Sequence, residues 1–142
     1  MPQPRSRSEA PPADHRAVRP VYVLTVDDQV AFREVAREVI DATSGFESCA
    51  VATSGEDALV AVERSHPDLV LLDVRMPGIG GIETARRISA AHPEVLVILV
   101  SVADAADLPA TVQQSGAAAL VRKHDIRPDT LRSLWTAHGV RQ

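Results

Sequence analysis

Three short apolar runs organise this chain. Val21 to Val26 leads into Asp27-Asp28, Leu69 to Leu72 leads into Asp73, and Val95 to Val100 leads into Ser101. Near-continuous hydrophobicity of this kind marks strands of a parallel sheet covered on both faces, and the carboxyl ends of such strands are where ligands bind. The run ending at Asp73 delivers its carboxylate into a loop broken by Met76-Pro77-Gly78. Three strands therefore point polar side chains at one sheet edge.

Between the runs the period changes to that of helices. Phe32, Val35, Ala36, Val39 and Ile40 fall on one helical face, opposite Arg33, Glu34, Arg37, Glu38 and Asp41. Thr43-Ser44-Gly45 ends that helix, and Phe46 to Ala52 reads as a short strand holding Cys49. Ser54 is placed to cap a helix running to about Ser65, with Glu56 and Asp57 in its first turn and Pro67 after its end. Gly80-Gly81 opens a helix with Ile82, Ala85 and Ile88 inward, stopped by Pro93. Leu108 to Ser115 predicts a short helix closed by Gly116, although its pattern is the weakest in the chain. Ala118 to Arg122 predicts a last strand, and Pro128 opens a final helix with Leu131, Leu134 and Trp135 on one side. Strand and helix thus alternate five times. Short right-handed crossovers turn that alternation into a doubly wound α/β fold, a five-stranded parallel sheet with helices on both faces. The order 2-1-3-4-5 puts Asp27-Asp28 and Asp73 side by side at the switch point.

Composition narrows the function classes. A length of 142 residues suits one compact domain, and 45% hydrophobic content is enough to cover such a sheet. Residues 1–19, rich in Pro, Arg, Ser and Ala, read as a disordered tail, leaving 20–142 as the folded domain. A net charge of -4 without a basic stripe gives no case for direct nucleic-acid binding, and 3% aromatic residues leave few platforms for stacking bases. No run is long enough to cross a membrane, and no apolar segment follows Arg5 and Arg7 to form a signal peptide. Cys49 is the only cysteine and reads as small core filler, so the expected location is the reducing cytoplasm.

Three carboxylates at one edge repel one another unless a cation or protons compensate. Oxygen-only ligands select Mg²⁺, Ca²⁺ or Mn²⁺, and Mg²⁺ favours one or two carboxylates plus a substrate phosphate. No phosphate loop of the GxxxxGK type is present, which argues against a nucleotide site. Asp73 can itself be the nucleophile of aspartyl-phosphate chemistry. Charge developing on the phosphoryl oxygens then calls for a cation and a hydrogen-bond donor, and Lys123 and Ser101 both follow sheet strands. Each residue alone has a bland reading as a loop acid, a surface charge or a turn cap. Together, after separate strands, they specify a metal and phosphoacceptor site.

Asp27-Asp28, Asp73 with Met76-Pro77, Ser101, and Gly116-Ala117 leading to Lys123 resemble the receiver domain of two-component response regulators, from about Val21 to Gly139. The resemblance implies that Asp73 takes a phosphoryl group from the phosphohistidine of a sensor histidine kinase. It also implies Mg²⁺, with Mn²⁺ as the alternative, held by Asp28, Asp73 and the Arg75 backbone carbonyl, with Asp27 acting through water. Lys123 would pair with the phosphate and the Ser101 hydroxyl would move to it, switching a surface for a downstream protein target. No turnover of an external substrate is implied.

Four positions depart from the family pattern. Leu120 stands at the aromatic switch position, His124 follows the lysine where Pro is common, Gly80 stands where Asp is common, and Val102 replaces Ala or Gly. Since little sequence follows the last helix, the expectation is a receiver without an output domain, although a fragment of a longer regulator reads the same. Leu120 and Val102 suggest a competing phosphorylation-independent binding module. A small phosphatase using Asp73 is disfavoured by Arg75 where a second acid would be required.

Overall fold

The computed structural model describes residues 19–139. The expected tail lies outside the described residues apart from Arg19, whose guanidinium pairs with Asp68 at 3.2 Å. Five strands, β1 (Val21–Val26), β2 (Phe46–Ala52), β3 (Leu69–Asp73), β4 (Leu96–Ser101) and β5 (Ala119–Arg122), form one parallel sheet in the order β2-β1-β3-β4-β5. Helices α1 (Val30–Asp41), α2 (Gly55–Ser65), α3 (Gly80–Ala91) and α4 (Pro128–His138) complete the expected doubly wound, flavodoxin-like fold.

Strand alternation divides the core in two. On one face Val21, Val23, Leu69, Leu71, Ile98 and Val100 meet Phe32, Ala36 and Ile40 of α1 and Leu131 of α4. On the other, Leu24, Val26, Val70, Leu72 and Leu99 meet Ala58 and Val62 of α2 and Ala85 and Ile88 of α3. β3 and β4 are buried along their whole length, which is why they read as continuous apolar runs. Removing those side chains from water supplies the main driving force for the layered arrangement.

Local signals explain most boundaries. Ser54 Oγ accepts the Asp57 N–H at 3.0 Å, and Asp57 accepts the Thr53 N–H at 3.1 Å in return, so two donors that no helical carbonyl can reach are satisfied. His66 ends α2 in the left-handed region, and Pro67 prevents continuation.

Three expectations need correction. The segment predicted as a fourth helix of five contains only 3₁₀ turns, Ala105–Asp107 and Ala110–Gln114. Pro109 adopts an extended ψ of 146°, so too few residues remain before Gly116, at φ +87°, for a stable α-helix. Beside the second turn lies a groove of about 410 Å³ lined by Leu108, Val112 and Leu120, among others. Val35, placed on the inward face of α1, is 49% exposed because the buried stripe is the narrower set Phe32, Ala36 and Ile40. Cys49 is only half-buried: it is the extra residue of a bulge in edge strand β2, between Ser48 paired with Val23 and Ala50 paired with Leu24. Trp135 is partly buried against the α1/α4 core, as expected.

Candidate functional site

The carboxyl edge of the sheet gathers the predicted residues. Val26 pairs with Leu72, so the turn that begins at Asp27 stands next to Asp73, and Ser101 pairs with Arg122, so Lys123 follows one residue beyond. Alternation decides which way each side chain faces. Asp27 is in phase with Val21 and Val23, Asp73 with Leu69 and Leu71, and Lys123 with Ala119 and Val121, all on the α1/α4 face. Ser101 is in phase with Val97 and Leu99 and belongs to the opposite face.

Asp27, Asp28 and Asp73 offer carboxylate oxygens within 4.8 Å of one another. Asp27 is fully buried, Asp73 is 7% exposed, and Asp28 faces solvent. The Lys123 ammonium lies 2.6 Å from Asp27 Oδ2 and 3.6 Å from Asp73 Oδ2. Among the described residues no aligned hydrogen-bond donor reaches Asp27 Oδ2, so the ammonium is its electrostatic partner. Asp27 Oδ1 accepts the Gln29 N–H at 2.8 Å, and Asp73 Oδ1 accepts the Arg75 N–H at 3.2 Å. Burial, reinforced by the Asp27 charge and slightly by Asp28, pushes Asp73 up to about 6, against the opposing pull of the Arg75 N–H and Lys123.

Three carboxylates facing one ammonium leave two negative charges, which one divalent cation would balance. The donors are all oxygen, so the site fits Mg²⁺. Ser101 is buried, with Oγ accepting the Ala103 N–H at 2.9 Å, and its strand brings it beside the site without joining the acid cluster. Val102 is 71% exposed, and no peptide bond among the described residues is cis, including the one before His124.

Sequence reasoning missed three supporting residues. Arg33 donates to the Asp27 backbone carbonyl at 2.8 Å, tying α1 to the acidic turn. Phe32, assigned only to the core, places its ring centre 4.7 Å from Lys123 Nζ. Gly81 admits the first turn of α3 against the end of β3: a Cβ there would lie 2.1 Å from the Asp73 carbonyl oxygen. The adjacent Gly-Gly pair was the available signal, but its two members serve different ends. Gly80 has a φ of +81° and open space around it. Gly81→Ala is expected to cost about 2–3 kcal/mol by overpacking and to weaken Mg²⁺ binding, whereas Gly80→Ala costs about 1–2 kcal/mol through backbone strain alone and spares Mg²⁺ binding. Thermal unfolding with and without Mg²⁺ separates the two.

A parallel sheet in this order, with an acid cluster and a lysine at its switch point, has the architecture of a receiver-type fold. The sequence profile of the response regulator receiver domain matches residues 23–135, and the chain belongs to that family. It is 36% identical over 103 residues to the response regulator GacA of Pseudomonas viridiflava, covering 72% of this chain and 48% of that protein. The chain therefore spans about half the length of the curated relatives it matches. Among solved structures it resembles the signal receiver domain of the response regulator NarL from Mycobacterium tuberculosis, with 27% identity, a TM-score of 0.76, and coverage of 84% of this chain and 96% of that one. It is also similar to a chain of the CheX-CheY-BeF3-Mg²⁺ complex from Borrelia burgdorferi, with 25% identity, a TM-score of 0.75, and coverage of 87% and 92%. Receiver domains bind Mg²⁺ at an aspartate cluster of the kind formed here by Asp27, Asp28 and Asp73. No helix among the described residues is long and apolar enough to cross a membrane.

Proposed function

We propose that this chain is a cytoplasmic phosphoacceptor in which Asp73 receives a phosphoryl group from the phosphohistidine of a sensor histidine kinase and thereby changes how the domain binds a downstream protein. The observation that carries this reading is the convergence of three carboxylates within 4.8 Å, with the Lys123 ammonium in contact with two of them. The BeF3 and Mg²⁺ named in the similar Borrelia burgdorferi complex support it.

In the transfer an Asp73 carboxylate oxygen forms a bond to phosphorus as the phosphorus–nitrogen bond of the donor breaks, and the electron pair returns to the imidazole. Asp28, Asp73 and the Arg75 carbonyl would hold Mg²⁺, with Asp27 acting through water. An ion held there would supply positive charge against the phosphoryl oxygens. Asp73 is raised only to about 6, so it is mainly ionised and nucleophilic at neutral pH. Lys123 stands ready to exchange its carboxylate contact for a phosphoryl oxygen. Ser101 gives up the Ala103 N–H and turns its hydroxyl toward the phosphate. No external substrate is turned over.

A second reading, a binding module that works without phosphate, is favoured by Leu120, an aliphatic side chain at the aromatic switch position. Incubation with acetyl phosphate followed by intact-mass measurement decides between the two. One phosphoryl unit is expected with Mg²⁺ and none with a chelator. No adduct under either condition, with a panel of histidine kinases also inactive, supports the phosphate-independent module.

A further inference from the structure

We propose that Phe32 is a positioning residue for Lys123, its ring face holding the ammonium where it can exchange a carboxylate for a phosphoryl oxygen; the inference rests on the phosphoacceptor reading of Asp73. The ring centre lies 4.7 Å from Lys123 Nζ, within the range of a cation–π attraction. The Lys123 side chain is only 13% exposed, and Phe32 is 9% exposed, so little water screens the contact. The chain contains two Phe, one Tyr and one Trp, and its core is otherwise aliphatic. One of those few aromatics sits against the lysine of the site.

Packing alone does not call for this choice. Phe32 shares its core face with Ala36, Ile40, Val23 and Leu71, which are all aliphatic, so apolar burial there does not by itself require a ring. What an aliphatic residue lacks is attraction for a cation. Lys123 already contacts Asp27 at 2.6 Å and Asp73 at 3.6 Å, and a third carboxylate would add a directional bond that must break when the phosphoryl group arrives. A ring face attracts the ammonium without such a bond, so Nζ can shift between oxygen partners at little cost. Phe32 acts through Lys123 and touches no reacting atom.

Phe32→Leu keeps an apolar side chain and removes the ring, while Phe32→Tyr keeps both. With acetyl phosphate and saturating Mg²⁺, Phe32→Leu is expected to slow phosphorylation about fivefold to tenfold, with Phe32→Tyr within about twofold of wild type. The Mg²⁺ concentration at half-effect should move less than about twofold in either variant, since the ring faces the lysine rather than the ion. In a Lys123→Met background, Phe32→Leu should cause no further loss. An unchanged rate in Phe32→Leu, or an equal loss in both backgrounds, would overturn the proposal. An independent readout is the NMR position of the Lys123 ε-methylene protons, expected upfield in the intact protein through the ring current and shifted back in Phe32→Leu. If wild type takes no phosphoryl group, the phosphoacceptor reading fails and this signal alone decides: an upfield position that collapses in Phe32→Leu upholds the placement of Lys123, and an unshifted position in wild type refutes it.

Discussion

Asp73→Asn is expected to abolish the phosphoryl adduct and, in metal-free buffer at neutral pH, to make the fold more stable. Both effects arise from one carboxylate. The amide has no nucleophilic oxyanion, so intact mass should show no adduct under conditions where wild type takes one. An adduct on the variant would move the acceptor elsewhere. The replacement side chain keeps a carbonyl oxygen for the Arg75 N–H, which donates to Asp73 Oδ1 at 3.2 Å in wild type, so the local turn should survive.

The stability gain follows from the raised pKa. In the folded protein Asp73 holds its proton up to about 6, chiefly because burial disfavours the charged form and Asp27 adds to the cost. In the unfolded chain it loses that proton near 3.8. Between those values the folded state binds more protons, so stability falls as pH rises through the window and stays low above about 6. The difference corresponds to about 3 kcal/mol, fully present below the unfolded value and absent at neutral pH. Asp73→Asn removes the ionisation and should recover much of it, raising the metal-free unfolding midpoint by on the order of 10 °C at pH 7.5 and flattening that part of the pH profile. Saturating Mg²⁺ should narrow the gap, since the ion offsets the same charge in wild type. A wild-type protein whose metal-free stability rises between pH 4 and 7 by as much as that of the variant would refute the account.

The parallel strands and the acid cluster were legible because each rests on a local signal. Buried strands must be apolar throughout, and Asp27, Asp28 and Asp73 interrupt that rule at the one edge where a parallel sheet gathers its loops. Ser54 was legible as a cap for a similar reason, since the residues that satisfy its helix terminus lie within three positions in sequence. What was lost depends on contacts between distant segments. Phe32 has the same helical phase whether it packs on aliphatics alone or also on Lys123, and periodicity cannot separate those cases. Gly81 has no unusual φ, and its need for a missing Cβ comes from the Asp73 carbonyl across the α3–β3 contact. The helix predicted after β4 is prevented by a local signal: Pro109 disfavours the α conformation before it and leaves only a short stretch to Gly116. Leu120 is half-buried against the α2/α3 core, so its departure from the aromatic pattern bears on packing beside the groove rather than on the acid cluster.

Lys123→Ala is expected to have three effects of differing sign, which together test whether the lysine balances the acids as the geometry implies. Without metal, Asp27 is left with no exposure to water and without the ammonium that stood 2.6 Å away. Stranding one member of a buried pair costs about 3–5 kcal/mol, so thermal unfolding in chelator should fall sharply. Mg²⁺ affinity should move the other way. Removing a positive charge from beside the acid cluster removes repulsion on an incoming cation, and the half-effect concentration is expected to drop about tenfold or more. Much of the lost stability should then return on adding Mg²⁺, which also shows that the variant folds. Phosphorylation should nevertheless slow by about 10- to 100-fold, because a charge needed by the phosphoryl oxygens is missing while the nucleophile Asp73 is intact. A merely structural lysine predicts reduced stability with Mg²⁺ affinity unchanged or weaker. Tighter metal binding, lower metal-free stability and slower phosphoryl transfer in the same variant can be reconciled only if Lys123 is the counter-charge of this site.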